Sequence, residues 1–238
     1  TMEAEPRILD FTGADLARVS HAYGTNGVVT EIEMPLAPAY DWVHIFLSLP
    51  DFTRAAGLAQ DLALQDGLLL KLATVCEAPT AARYFQRFRG YVTDQDSVVA
   101  LMVAPHSMDG FLSFLAHEPM ARLIYRSDAN DWPRDPGPAY EYGWNHTTLR
   151  AIKVDPAITY LQVRYAGPDL LDKVAAIRAR FGDELIQHLE FLRENGVMTA
   201  AGLTLAQAQV QSRSVAQWRA LNPAPPDKHL PVVFALGQ

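Results

Sequence analysis

His21-Ala22-Tyr23-Gly24-Thr25-Asn26-Gly27-Val28-Val29-Thr30-Glu31-Ile32 runs from a short helical segment through a glycine-spaced turn into a strand. Two glycines three apart permit positive φ and let another group approach the main chain without a Cβ in the way. Flanking N–H groups would then point at whatever lies there, which suits a phosphate or another polar cofactor edge. A tight turn ahead of an edge strand uses the same spacing, so the turn alone leaves both readings open. Upstream, Thr12–Ser20 reads as a short helix, with Thr12 as N-cap and Asp15 completing a capping box. Downstream, Val28, Thr30, Ile32, Met34 and Leu36 share one side of a strand over 28–36, which Pro35 and Pro38 end. Pro38-Ala39-Tyr40 is the expected boundary between two parts of the chain.

Beyond the boundary, strands and helices alternate. Strands are predicted at Trp42–Leu49, Leu68–Cys76, Val98–Ala104, Arg122–Arg126 and Ile158–Tyr165. Helices are predicted from Asp51 to about Asp66, from Pro79 through Phe85 and Phe88, over Ser107–His117, and over Pro168–Phe181. The last carries a stripe of Leu170, Val174, Ile177 and Phe181 and stops at Gly182. Glu184–Leu192 and Val197–Leu203 read as a hairpin across Asn195-Gly196. This rhythm fits a parallel sheet, and it fits equally a ferredoxin-like antiparallel sheet with helices on one face; periodicity does not choose.

A chain of 238 residues, 49% hydrophobic, can bury a full core. Its net charge of −7, with signs interspersed, lacks the basic stripe of a nucleic-acid binder. The single cysteine, Cys76, excludes an internal disulfide and every CxxC-type metal site, and points to a reducing, cytoplasmic setting. The apolar runs are too short for a membrane span.

Tyr23-Gly24-Thr25-Asn26-Gly27-Val28-Val29-Thr30 resembles the closing strand of the FAD-binding domain in FAD-linked oxidases of the vanillyl-alcohol oxidase/p-cresol methylhydroxylase type. Glu141-Tyr142-Gly143-Trp144-Asn145-His146-Thr147-Thr148-Leu149 and His188-Leu189-Glu190-Phe191 resemble the substrate-covering cap of a bacterial subgroup of those enzymes. The resemblance implies an α+β fold: a ferredoxin-like antiparallel sheet with helices packed on one face, preceded by a remnant of an FAD-binding domain. It implies residues 1–38 as that remnant, 39–206 as the cap and 207–238 as an irregular tail. The flavin domain's Pro-x-Ser/Thr-x-Gly phosphate loop has no counterpart before His21. The chain is therefore expected to be the C-terminal portion of an oxidase, with Thr1-Met2 an expression or truncation boundary. In the tail, Asn222-Pro223-Ala224 is a poor match to the family's closing motif.

By the same resemblance the cofactor is FAD, held mainly by a domain outside this chain, with Gly24, Thr25, Gly27, Val28 and Thr30 touching the dinucleotide. In such oxidases the flavin takes the electrons, while the protein orients a small-molecule substrate and moves one proton. Tyr140, Tyr142 and Trp144 would face together if extended, and Asn145 as cap would place His146 in a first helical turn. There the helix dipole favours neutral imidazole, so His146 is the leading catalytic base, with Glu190 the second. A hydrogen-bonded core histidine is the plainer reading. His188 and Glu190 share one strand face; they could move a proton or bind a divalent metal, but two ligands do not make a metal site, and none is assigned. A solvated strand face explains the pair as well. Tyr142, Asn145, Arg150 and His188 are candidate substrate contacts, and Arg150, Lys153 and Arg164 could each hold a carboxylate. The expected partners are the flavin domain and the substrate, with a homo-oligomer left open. The alternative function is a non-catalytic ferredoxin-like ligand-binding or interaction domain.

Overall fold

The computed structural model describes residues 3–20, 22, 24–129 and 135–207. The chain divides between Ala39 and Tyr40 into two compact units.

In the first unit, Gly13–Arg18 forms a 3-10 helix. Thr12 precedes it in extended conformation but makes no side-chain cap; Asp15 instead pairs with Arg18 at 3.1 Å. The strand expected over 28–36 is not formed: among the described residues this segment joins no ladder. Its apolar side chains stand in the open, Val28 81% and Leu36 89% exposed. The alternation is that of a strand, but a strand exists only against a partner that takes its N–H and C=O groups.

The second unit is built on one antiparallel sheet. Its strands are β1 (Val43–Leu49), β2 (Leu70–Cys76), β3 (Ser97–Val103), β4 (Arg122–Arg126), β5 (Ile158–Ala166), β6 (Leu185–Ile186), β7 (His188–Glu194) and β8 (Val197–Gln207). The order is β4-β1-β3-β2-β7-β8-β5, with β6 also on β8. The first four strands thus follow the 4-1-3-2 order of a ferredoxin-like split βαβ repeat, as expected. β2 then pairs with β7 and joins the second half of the sheet.

Helices α1 (Phe52–Leu64) and α5 (Leu170–Phe181) cover one face. Asp51 caps α1 by accepting the Arg54 N–H at 2.8 Å, and Phe52, Ala55, Ala59 and Leu62 recur at helical spacing on its buried side. Gly182, at φ 51°, ends α5 where a side chain would be strained. α3 (Met108–Leu115) adds Met108 and Phe111 to the same core.

The other face is covered too, which extends the expected one-sided packing. α2 (Thr80–Tyr84), the 3-10 turns Gln86–Phe88 and Ala139–Tyr142, and α4 (Asn145–Val154) contribute to a second core with Phe46, Leu72, Val98, Ala100 and Met102. The helix expected from Pro79 through Phe88 is shorter than read, because Phe85 leaves helical geometry at its end and Phe88 falls in the following turn. The expected strand Glu184–Leu192 breaks at Gln187, whose N–H and C=O go to the Glu77 side chain and backbone. The β7–β8 turn is as read: Asn195 and Gly196 both have positive φ. β8 runs on through Ala206 to Gln207, while the tail beyond Gln207, with Asn222-Pro223-Ala224, lies outside the described residues.

Candidate functional site

β2 and β7 run side by side with Thr74 opposite Glu190 and Cys76 opposite His188. Directly opposed residues of an antiparallel pair share a face, so all four side chains meet in the second core. None of them is solvated, contrary to the open strand face considered for His188 and Glu190: His188 is fully buried and Glu190 6% exposed.

The hydrogen bonds fix the proton positions. The Thr74 hydroxyl donates to the Leu189 carbonyl at 3.0 Å. Its one proton is thereby used, so His188 Nε2, 3.1 Å away, donates to Thr74 Oγ1. The same Nε2 lies 3.4 Å from Glu190 Oε1. His188 Nδ1 is buried without a hydrogen-bond partner. Beside them the Cys76 thiol, in no disulfide, is buried and donates to the Tyr142 carbonyl at 3.9 Å, its pKa pushed up to about 12 by desolvation. Among the described residues, no group of three or more His, Cys, Asp or Glu side chains could hold a metal ion.

Glu190 reaches across to the loop that starts α4 and accepts the backbone N–H of Trp144. Gly143 makes room for this: a Cβ there would stand 3.2 Å from Glu190 Oε1 and 3.4 Å from Leu72 Cδ1. Trp144 has φ 49°, a conformation L side chains rarely adopt, and the residue is 45% exposed. Asn145 is the first residue of α4 rather than its cap, and Trp144 occupies the cap position. His146 follows in the first turn as expected, its N–H on the Gly143 carbonyl at 3.1 Å and its side chain exposed.

The three aromatic residues of this stretch do not face together. Tyr142 is buried among Phe46, Phe85 and Phe88 and donates its hydroxyl to the Pro136 carbonyl; burial raises its pKa. Tyr140 and Trp144 remain exposed, because a 3-10 turn followed by a helix replaces the alternation of an extended chain. Arg150 is occupied as well: it donates to the Glu141 carbonyl and carboxylate at 3.0 and 2.7 Å, and lies 4.6 Å from the Tyr142 ring centre. Arg164 pairs with Glu194. Tyr142 and Arg150 therefore brace the α4 loop; of the expected substrate contacts Asn145 is exposed and Arg150 half-buried, while Tyr142 and His188 are buried.

The glycine turn of the first unit is open. Gly24 has φ 73°, and a Cβ built on it would meet nothing within 4 Å. Thr25 closes the turn by giving its N–H and hydroxyl to the Ala22 carbonyl at 2.9 and 2.6 Å, and Asn26 donates to the Arg18 carbonyl at 2.6 Å. Gly27 is half-buried, Val28 and Thr30 are exposed, and among the described residues their backbone joins no ladder.

Tyr40, Trp42 and His44, two apart at the start of β1, were not singled out in the sequence, although that spacing puts three rings on one side. With Lys71 and Tyr140 they line a cleft of about 550 Å³ in the second unit. No helix among the described residues is long and apolar enough to cross a membrane.

No family model matches the chain, and no curated protein matches it. Solved structures do. 4-Ethylphenol oxidase from Gulosibacter chungangensis, in complex with isoeugenol, superposes with a TM-score of 0.52 at 15% identity, over 79% of this chain and 44% of that one. Alkyldihydroxyacetonephosphate synthase in two crystal forms gives TM-scores of 0.49 and 0.43 at 10% and 11% identity, over 78% of this chain. The chain spans 39% to 44% of the length of these proteins. What the chain shares with 4-ethylphenol oxidase is a fold, an antiparallel sheet with helices packed on it.

Proposed function

We propose that this chain is the cap portion of an FAD-dependent oxidoreductase, residues 39–206 forming the cap, 1–38 closing a flavin-binding domain and 207–238 a tail. The observation that carries the reading is the fold likeness to 4-ethylphenol oxidase over 79% of the chain. The apolar alternation of 28–36 supports it, since a strand pattern that stands exposed and unpaired suits a sheet supplied by another domain. Gly24, Thr25, Gly27, Val28 and Thr30 would lie along the dinucleotide through backbone groups. FAD, when bound, would supply the hydride acceptor for oxidation of a small hydroxy acid, alcohol or phenolic substrate. His146, exposed in the first turn of α4, takes the hydroxyl proton of that substrate. Glu190 is the weaker candidate for this step, its carboxylate being engaged by Trp144 and facing His188; it positions the loop that carries His146.

In the complete protein containing this chain, His146→Ala should slow flavin bleaching by substrate under anaerobic conditions by about 10²-fold or more, with flavin content unchanged. Gly27→Ala should release the flavin while the second unit stays folded. The chain alone should purify colourless. A yellow preparation of the chain alone, flavin retained by the Gly27 variant, or unchanged bleaching in the His146 variant would each overturn the corresponding assignment.

A further inference from the structure

The cleft at the start of β1 is assembled from parts that nothing in the proposed oxidase reading uses. Its walls are rings already held in edge contacts: Tyr40 meets Trp42 at 5.4 Å and 71°, and His44 meets Tyr140 at 6.0 Å and 68°. Such pre-set rings offer flat apolar surface with little ordering left to do on binding. The Lys71 ammonium stands 5.9 Å from the centre of the Trp42 ring, and among the described residues no carboxylate pairs with it. Asp128, on the same wall, is taken up by Arg126 through bonds of 2.9 and 2.7 Å.

His44 supplies a second donor of fixed identity. The backbone N–H of Ala139 donates to its Nδ1 at 3.1 Å. A ring nitrogen that accepts carries no proton, so the neutral imidazole holds its hydrogen on Nε2. Burial also lowers the pKa of His44, which keeps that neutral form at pH 7. The ring lining the cleft is therefore a neutral N–H donor beside a free ammonium.

We infer that this cleft binds an aromatic carboxylate, its ring against Trp42 and Tyr140 and its anionic oxygens on Lys71 and the His44 Nε2–H. A cavity of about 550 Å³ is ample for one such ring with a short acid arm. Asp41 is the one acid on the wall without a basic partner among the described residues, and it opposes the ligand's charge. The inference is independent of any flavin: it concerns binding by this chain alone.

Calorimetric titration of the 238-residue chain with phenylacetate tests it. Two near-isosteric probes separate the features: cyclohexylacetate keeps the charge and lacks the ring, and phenylacetamide keeps the ring and lacks the charge. Phenylacetate should bind at least about tenfold more tightly than either. Lys71→Met should weaken it about tenfold, Tyr140→Ala by a few-fold, and Asp41→Asn should tighten it. Lys71, Asp41 and Tyr140 are exposed, so these variants keep the fold, which the melting temperature verifies. Absence of heat with phenylacetate, equal binding of the three probes, or unchanged affinity in Lys71→Met would each overturn the inference.

Discussion

Replacing Glu190 tests the physical account of the α4 loop. The carboxylate is buried, accepts the Trp144 N–H and lies 3.4 Å from His188 Nε2. Glu190→Ala leaves that amide without a partner, and a lost hydrogen bond to a charged group is worth about 1.5–3 kcal/mol. The void over Leu72 and Gly143 adds about 2 kcal/mol. Relaxation of Trp144 from φ 49° returns some of it, about 1–2 kcal/mol for an L residue in that region. The net expectation is a destabilisation of about 2–4 kcal/mol. Glu190→Gln keeps the volume and one acceptor oxygen, so it should lose less than half as much. Urea denaturation followed by circular dichroism measures both, with the m-value unchanged if only stability moves. Gly143→Ala, which would push a Cβ onto the same carboxylate, should be less damaging when combined with Glu190→Ala than the sum of the two. A Glu190→Ala protein within about 0.5 kcal/mol of the parent would refute the anchoring role, as would Glu190→Gln as unstable as Glu190→Ala.

Three further outcomes follow from other parts of the fold. Gly196→Ala places a Cβ at φ 78° in the β7–β8 turn and should cost about 1–2 kcal/mol, read as a lower urea midpoint; no change would show that the turn adopts another geometry. Cys76, with its thiol pushed up to about 12 and buried, should resist iodoacetamide in the native protein and react once denaturant is added; fast labelling without denaturant contradicts its placement. Burial lowers the pKa of His44 from 6.5, with Asp135 opposing and Lys71 assisting. The unfolded chain then takes up that proton at higher pH than the folded one, so stability falls as pH drops below about 6.5 toward the lower folded value. His44→Gln should flatten this slope in melting temperatures taken between about pH 7 and pH 5; an unchanged slope would place His44 outside the linkage.

Much of the second unit is legible in the order of its residues. Arg122–Arg126, the Phe52–Leu64 helix capped by Asp51, the stripe of α5 and the Asn195-Gly196 turn all carry local signals, either alternation, capping or positive-φ turn residues. The covered second face has a local signal as well. From Val98 to Val103, β3 is an unbroken apolar run, buried at every position, and a strand without alternation is one covered on both sides. In the site the local signals misled. Tyr140, Tyr142 and Trp144 alternate as in a strand, yet the chain there turns and enters a helix, so Tyr142 is buried while its neighbours are not.

Local chemistry in the chain was enough to set most of the helices, strands and turns of the second unit outside residues 140–144, because those preferences act over a few neighbouring residues. Which charges are free and which are used was settled by distant partners: Glu190 with Trp144 is a contact 46 residues apart, and His44 with Ala139 one of 95. Burial and pairing depend on what the folded chain brings alongside, and no periodicity in a single strand carries that information. The same physics leaves 28–36 without a ladder partner among the described residues: its pattern specifies one side of a sheet, and only a second strand can complete it.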